Sequence, residues 1–248
     1  MIRPRRVSQA YPVVLALGCL AGLSWLALRR GVSGPDSANP FTAGLLALAA
    51  GLVGARLVFT GLHGPYFLSH PLEVAWIWRG GLSWVGGALG ALAAVALFAA
   101  FRRARLAPLA DALALPALAV ALAAWTGCLL EACVYGIPVA AGPWAPPAAD
   151  LFGVIVPRWP TAAVGMIASG ALLSVFLVLD GRASAPGRRA IAALAGLAAI
   201  GLALSLTRAD PALMVGAIRV DTLGAALMLL LALVLALLAR RPLGSGSR

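Results

Sequence analysis

The chain has 248 residues and a formal net charge of +11, carried entirely by arginine because the sequence contains no lysine. It is 62% hydrophobic and only 11% charged, whereas soluble domains carry about 25% charged residues. This composition excludes an ordinary soluble domain and indicates a single integral membrane domain over residues 1–248. A nucleic-acid partner would need a soluble basic face, which the sequence does not offer.

Seven runs are long and apolar enough to span a bilayer, and joints rich in Pro, Gly and Ser separate them. They predict an all-α polytopic membrane protein with seven transmembrane helices. The absence of an internal repeat argues against the inverted-repeat plans of small-solute transporters. In chain order the spans are Tyr11–Leu28, Phe41–Phe59, Leu82–Phe101, Ala112–Cys133, Ala162–Leu179, Ala190–Leu206 and Leu223–Leu238.

The distribution of arginine predicts an N-terminus outside and a cytoplasmic C-terminus. In this orientation eleven arginines lie in inner segments and seven in outer segments, which follows the usual excess on the cytoplasmic side. The charged start of the chain resembles that of a signal peptide, but no clear cleavage pattern follows, so the first span is predicted to be retained. The tail from residue 244 is predicted to be disordered.

The three cysteines all lie in apolar runs. Cys128 and Cys133 are five residues apart, which is roughly 140° around a helix, so they are predicted to face different directions. Because all three cysteines lie in apolar runs, a disulfide framework or a metal site is not expected, and the two histidines cannot complete a zinc site of the usual kind. No cofactor is predicted.

Three charged residues are candidates for chemistry. Arg56 lies in the second span, where burial of a cation costs about 2.5–3.5 kcal/mol; it either snorkels to the headgroups or binds a phosphate or carboxylate in a bidentate manner. Arg208 follows the sixth span and is either a second phosphate contact or a partner of nearby carboxylates. Glu131, near the end of the fourth span, either reaches water, pairs with an arginine, or acts as a general acid or base.

A glycine-rich stretch at 78–90 is the likeliest floor of a site. Its pairs Gly80-Gly81 and Gly86-Gly87 enclose Ser83 and Trp84. Glycine is unfavourable inside a helix, so the pairs indicate either close approach of the backbone to a ligand or another helix, or a helix break at the membrane boundary.

These motifs together resemble the prolipoprotein diacylglyceryl transferases, seven-span enzymes of the bacterial plasma membrane. The family pattern runs Gly-x-Arg-Leu, then Pro, then Trp-x-Gly-Gly-Met-Ser-Phe-His-Gly-Gly-x-x-Gly. The chain has Gly54-Ala55-Arg56-Leu57, Pro71 and Trp78-Arg79-Gly80-Gly81-Leu82-Ser83-Trp84-Val85-Gly86-Gly87-Ala88-Leu89-Gly90. Arg158-Trp159-Pro160-Thr161 and the position of Arg208 are similar to later family features.

The resemblance implies a multi-pass protein of the bacterial inner membrane that moves the diacylglyceryl group of phosphatidylglycerol, or a related anionic phospholipid, to the cysteine thiol of an exported preprotein. Glycerol 1-phosphate is released, and no metal is needed. Glu131 and Arg208 are then the expected catalytic residues. The expected substrate-binding residues are Arg56, Gly80, Gly81, Ser83, Trp84, Gly86 and Gly87.

The chain also departs from the family pattern. Val85 stands where the glycine block of the family has histidine. The fourth-span pattern keeps only its glycines at 127 and 136, and the family's Gln-Leu-Tyr-Glu is replaced at 162–165. At the positions where the fourth-span pattern has an arginine, two asparagines and a glutamate, the chain has Trp125, Cys128, Glu131 and Cys133, respectively. The departures leave a second hypothesis open, namely a non-catalytic relative that binds phospholipid.

Overall fold

A computed structural model describes residues 10–29, 38–150 and 152–240. Two short 3₁₀ segments, Pro71–Ala75 and Ile77–Arg79, precede the helix that begins at Trp84. The strands form two antiparallel hairpins, one of which pairs Pro147–Ala149 with Ile155–Pro157 and the other Met214–Val215 with Ile218–Arg219. The elements are α1 (Ala10–Leu28), α2 (Pro40–Leu62), α3 (Gly64–Ser69), α4 (Trp84–Phe101), α5 (Leu106–Glu131), β1 (Pro147–Ala149), β2 (Ile155–Pro157), α6 (Thr161–Val178), α7 (Arg188–Ser205), β3 (Met214–Val215), β4 (Ile218–Arg219) and α8 (Val220–Arg240).

Seven of these helices, all except α3, are long and apolar enough to cross a membrane. The prediction of seven membrane-spanning helices is therefore confirmed, and each predicted span overlaps one of them. The largest difference is at the fourth span, which begins at Leu106 and ends at Glu131, two residues before the predicted end. The charged start at 1–6 and the tail from residue 244 lie outside the described residues.

The described chain divides into two compact units. The first contains residues 10–22, 114–150, 152–183 and 191–235, and its core is built on Ala114, Leu118 and Ala193. The second contains residues 23–29, 38–113, 184–190 and 236–240. Its core includes Ala43 and Ala99. Small core residues are typical of membrane helices, where they let the backbones approach closely.

In the second unit, α2 and α4 pack backbone to backbone through glycines. A Cβ atom on Gly54 would lie 2.5 Å from the carbonyl oxygen of Gly86, and a Cβ on Gly86 would overlap the carbonyl oxygen of Gly54. A Cβ on Gly90 would likewise overlap the carbonyl oxygen of Ala50. The glycine-rich stretch therefore serves a close helix–helix contact, which is one of the interpretations that the sequence allowed.

In the first unit, three extended segments form a layer that we call the extended layer (residues 135–139, 155–159 and 207–209). The Ile137 N–H donates to the Thr207 carbonyl at 2.9 Å, and the Ala209 N–H donates to the Tyr135 carbonyl at 2.9 Å. On the other side the Trp159 N–H donates to the Ile137 carbonyl at 3.0 Å. The layer pairs backbone groups of loops that are distant in sequence and thereby fixes the residues that follow α5 and α7.

Candidate functional site

Arg56 is buried in the second unit, with 7% of its surface exposed. Its guanidinium donates four hydrogen bonds to backbone carbonyls: Nε to Val74 at 2.8 Å, Nη2 to Glu73 at 2.5 Å, and Nη1 to Gly80 at 2.6 Å and Gly81 at 3.0 Å. A guanidinium has five N–H donors, so one remains. Arg56 does not snorkel, and it holds the loop between α3 and α4 in place.

No carboxylate of the described residues forms an ion pair with Arg56. The rings of Phe59 and Phe67 lie 5.8 and 5.3 Å from its guanidinium carbon. Carbonyl dipoles and aromatic faces stabilise a cation, but they carry no net negative charge. Arg56 is therefore a buried positive charge whose neutralising anion is not supplied by a described side chain.

The two glycine pairs have different environments. Gly80 and Gly81 have φ angles of +84° and +74°, in the region that favours glycine. A Cβ on Gly80 would meet nothing within 4 Å, whereas one on Gly81 would overlap the ring of Phe59. Ser83 caps α4, since its Oγ accepts the Gly86 N–H at 3.5 Å. Ser83 also donates its own N–H to the Ala55 carbonyl at 3.0 Å.

The other glycine pair, Gly86 and Gly87, faces α2. A Cβ on Gly87 would lie 3.6 Å from both the Ala55 Cβ and the Gly51 carbonyl oxygen, so it contacts a helix rather than open space. Trp84, at the start of α4, is 41% exposed. The open part of this stretch is therefore formed by Gly80 and Trp84, and the remaining glycines set the position of the backbone.

Arg208, in the first unit, lies in a cluster of two arginines and two aspartates. It forms a bidentate pair with Asp210, with Nε–Oδ1 and Nη2–Oδ2 distances of 2.9 and 2.6 Å. Its Nη1 lies 3.1 Å from Asp221, and Arg219 lies 3.1 Å from Asp210. The pairing with nearby carboxylates, one of the two interpretations from the sequence, is what the structure contains.

The cluster keeps Arg208 charged. Burial alone would lower the pKa of its guanidinium, but the hydrogen bond to Asp210 and the charges of Asp210 and Asp221 outweigh burial and raise the pKa above its ordinary value. Two arginines and two aspartates have no net charge. The cluster therefore attracts an anion only if a carboxylate is displaced or protonated.

Arg158 and Asp150 form a second ion pair in this unit, which the sequence did not predict. The Arg158 Nη2–Asp150 Oδ2 distance is 3.0 Å, and Nε and Nη1 donate to the carbonyls of Ala148 and Gly136 at 3.2 and 3.3 Å. Arg158 thus ties the β1–β2 hairpin to the extended layer. Its sequence signal was the resemblance of Arg158-Trp159-Pro160-Thr161 to a family feature, which did not indicate an ion pair.

Glu131, the last residue of α5, points to the start of α1. Its Oε1 accepts the Tyr11 N–H at 2.9 Å, and a carboxylate at a helix N-terminus is stabilised by the helix dipole. Glu131 also lines a cavity of about 290 Å³ with Tyr135, Asp150, Asp210 and other residues. In the described ranges, no group of three or more His, Cys, Asp or Glu side chains has the arrangement of a metal site.

Cys128 and Cys133 form a disulfide, with a Cα–Cα distance of 5.0 Å. The prediction that they face different directions is wrong because it assumed a helix through residue 133. The helix ends at Glu131, Ala132 takes a φ of +51°, and the Cys133 N–H donates to the Cys128 carbonyl at 3.2 Å. This 6→1 bond of a Schellman turn brings the two residues together.

Trp125 and Gly165 are in contact between α5 and α6. A Cβ on Gly165 would overlap the Trp125 indole. These are the positions at which the resembled pattern has an arginine and a glutamate, so neither charge of that pattern is present at this contact.

The candidate residues thus fall into two groups. Arg56, Gly80, Gly81 and Ser83 lie together in the second unit, along with Trp84, Gly86 and Gly87. Arg208 and Glu131 lie in the first unit. Glu131 and Asp210, the partner of Arg208, line the same cavity.

Comparison with known proteins agrees with the resemblance. A family model described as prolipoprotein diacylglyceryl transferase matches residues 4–238. A phosphatidylglycerol–prolipoprotein diacylglyceryl transferase of Thermus thermophilus is 37% identical over 115 residues, which are 46% of this chain and 40% of the relative. One of Methylocella silvestris is 32% identical over 154 residues, 60% of this chain and 54% of the relative.

The matched segments thus span about half or less of the length of these relatives. The family model nevertheless covers residues 4–238, almost the whole chain. The chain therefore belongs to the prolipoprotein diacylglyceryl transferase family.

Proposed function

We propose that this protein transfers the diacylglyceryl group of phosphatidylglycerol to the thiol of a lipobox cysteine in an exported preprotein, or to another acceptor. The observation that carries the proposal is the buried guanidinium of Arg56, which no described carboxylate neutralises. A buried charge requires compensation, and the phosphate of an anionic lipid would supply it.

The lipid headgroup in this proposal lies at the loop before α4. The open surface at Gly80 and the exposed part of Trp84 would adjoin it, with Ser83 alongside. Gly81, Gly86 and Gly87 allow the backbone to come close to its neighbours. Bidentate binding of phosphate by Arg56 would require one of its four carbonyl bonds to be given up. In this proposal Arg56 therefore makes a single hydrogen bond to the phosphate, while its other four hold the loop in position.

The transfer forms a bond between the acceptor sulfur and the terminal glyceryl carbon of the lipid, and it breaks the bond between that carbon and a phosphate oxygen. The phosphate leaves with the bonding electrons as glycerol 1-phosphate, and the thiol proton must be accepted. We assign the proton to Glu131, which lines the cavity beside Tyr135. Arg208 is a second candidate for stabilising an anion, which it could do only after separating from Asp210 or Asp221.

The protein is proposed to lie in the bacterial inner membrane with its N-terminus outside and its C-terminus in the cytoplasm. The Cys128–Cys133 disulfide supports this orientation, because disulfides persist in oxidising compartments such as the periplasm and are rare in the cytoplasm. The end of α5 is then outside. Four spans lie between the start of α1 and the end of α5, so the start of α1 is outside as well, consistent with its contact to Glu131.

A second candidate function is non-catalytic phospholipid binding. The contact of Trp125 with Gly165 favours it, because this contact leaves neither position able to hold charge. The disulfide supports it further, since it joins two positions at which the resembled pattern has an asparagine and a glutamate. Val85 supplies no imidazole in the glycine block.

A labelling assay separates the two functions. Proteoliposomes of phosphatidylglycerol with the full chain are incubated with a lipobox peptide, and the mass of the peptide is measured. A transferase adds diacylglycerol to the cysteine, and Glu131→Gln should abolish the product while Arg105→Gln, at an exposed loop position, should not. Absence of product beside an active family enzyme would refute the transferase proposal, and phosphatidylglycerol that still co-purifies would then support the lipid-binding function.

A further inference from the structure

The Cys128–Cys133 disulfide borders the cavity at Glu131. Cys133 is exposed and lines this cavity of about 290 Å³. Cys128, in the last turn of α5, is half-buried and is not one of the lining residues. Access decides which sulfur of a disulfide an incoming thiol attacks. A thiol that enters the cavity therefore meets the sulfur of Cys133, and Cys128 is the sulfur that leaves.

This disulfide has the features of a bond that exchanges with thiols. Exposed disulfides are more labile than the structural disulfides of secreted proteins. The two cysteines have a sequence separation of 5, and a short loop gains less from closure than a long one does. The turn also has a backbone hydrogen bond of its own, from the Cys133 N–H to the Cys128 carbonyl at 3.2 Å. The turn therefore keeps this bond while the two sulfurs are apart.

The cavity beside Cys133 is negatively charged. Glu131, Asp150 and Asp210 line it, and none of its described lining residues is basic. Asp150 and Asp210 are neutralised by ion pairs with arginines. Glu131 forms no ion pair with a described residue, and its Oε1 accepts only the neutral Tyr11 N–H. One uncompensated carboxylate thus lies two residues from Cys133, at a Cα distance of at most about 7.6 Å.

The charge and the size of the cavity select among thiols. A carboxylate attracts a thiol that carries an ammonium group and repels one that carries a second carboxylate. The volume of about 290 Å³ is at the lower end of the range for ligand pockets, which begins at about 300 Å³. The thiol that fits both properties is a small aminothiol.

We propose that the Cys128–Cys133 disulfide is a thiol–disulfide exchange site that captures a small aminothiol as a mixed disulfide on Cys133. The thiolate of the aminothiol forms a bond to the Cys133 Sγ, and the bond between the Cys133 and Cys128 sulfurs breaks. Cys128 leaves with the bonding electrons and takes up the proton that the aminothiol lost, so no separate oxidant or reductant is consumed. This proposal does not depend on transferase activity.

Two thiols of similar size and opposite charge test the proposal. Cys19→Ala removes the one thiol that is free in the described chain. The full-length protein in detergent at low ionic strength is incubated with cysteamine or with mercaptopropionate, quenched with acid, alkylated and mapped by peptide mass. Each rate is divided by the rate of the same thiol with hydroxyethyl disulfide, a neutral reference that corrects for the intrinsic reactivity of the thiol.

Cysteamine should be found on Cys133, with Cys128 alkylated, and its corrected rate should exceed that of mercaptopropionate several-fold. Glu131→Gln should remove most of this preference. The matched control Asp180→Asn should keep it, because Asp180 follows the end of α6, about 27 Å from the extended layer at the start of that helix.

Three results would overturn the proposal. They are an adduct on Cys128 instead of Cys133, equal corrected rates for the two thiols, and a disulfide that reacts with cysteamine only after denaturation. If Glu131→Gln fails to fold, added salt examines the same charge in the Cys19→Ala protein, because salt screens charges that are open to solvent. The preference for cysteamine should then fall as the salt concentration rises, and a preference independent of salt would contradict the role of Glu131.

Discussion

Replacing Gly54 with alanine perturbs the contact between α2 and α4 directly. The new Cβ would lie 2.5 Å from the carbonyl oxygen of Gly86, whereas nonbonded heavy atoms prefer about 3.5 Å or more. The helices must therefore separate by about 1 Å, because both partners are backbone and no side-chain rotation relieves the overlap. Overpacking of this kind typically destabilises by about 1–3 kcal/mol.

Gly61→Ala is the matched control. Gly61 lies in the same helix, and its added Cβ would meet nothing within 4 Å. Both substitutions gain helix propensity of about 1 kcal/mol, so this gain cancels in the comparison. The difference in unfolding free energy between the two variants should therefore equal the cost of the steric overlap at residue 54, about 1–3 kcal/mol.

The assay is thermal unfolding of the two variants and the unchanged protein in one detergent. At about 2–4 °C per kcal/mol for a chain of this size, Gly54→Ala should unfold several degrees below Gly61→Ala. Equal Tm values would refute the assignment of Gly54 and Gly86 to a backbone contact, and they would favour the alternative that these glycines face a ligand.

Three further predictions concern the arginines and the disulfide. Arg56→Met should destabilise the folded protein by about 3 kcal/mol or more, because hydrogen bonds to charged groups contribute about 1.5–3 kcal/mol each. Amide hydrogen exchange should show that the loop at 73–81 opens in this variant, and Arg105→Met should show neither effect. Reduction of the Cys128–Cys133 disulfide should lower the unfolding free energy by about 2 kcal/mol. Alkylation of the denatured protein should modify only one of the three cysteines until a reductant is added, and alkylation of all three without reductant would contradict the disulfide. The pKa of Arg208 is raised in the folded state, so its ion pairs stabilise the protein fully at pH values below the unfolded pKa and are lost only above that pKa. The stability lost in Arg208→Gln should therefore be constant between about pH 6 and 9. A stability difference that vanishes within this pH range would refute the pairing.

The disulfide shows where reasoning from the sequence failed. The angular separation of Cys128 and Cys133 follows from helix geometry only while the helix continues. The chain leaves the helix at Ala132, which takes a left-handed conformation without being a glycine. Since Gly is the usual residue at this position, the alanine at 132 gave no signal for the turn. A cysteine pair five residues apart at the end of a helix is itself a pattern compatible with a Schellman turn.

The charged residues show a different limit. The sequence identified Arg56, Arg208 and Glu131 as unusual because charge is unfavourable in or beside an apolar span. For Arg208 it offered nearby carboxylates as one alternative, and the structure contains that pairing. It did not identify the partners of the other two, which are carbonyls 17 to 25 residues away for Arg56 and the Tyr11 N–H, 120 residues away, for Glu131. Such partners depend on which helices pack together.

The sequence by itself determined the seven membrane-spanning helices and the family resemblance. A span must satisfy its own backbone hydrogen bonds in lipid, so its position follows from local hydropathy, and the glycine-rich stretch at 78–90 is a local motif. Only the tertiary structure decided what the glycines and arginines contact. Gly54 and Gly86 meet because two helices approach closely, and Arg56 is buried because a distant loop folds over it. These contacts depend on packing between segments remote in sequence.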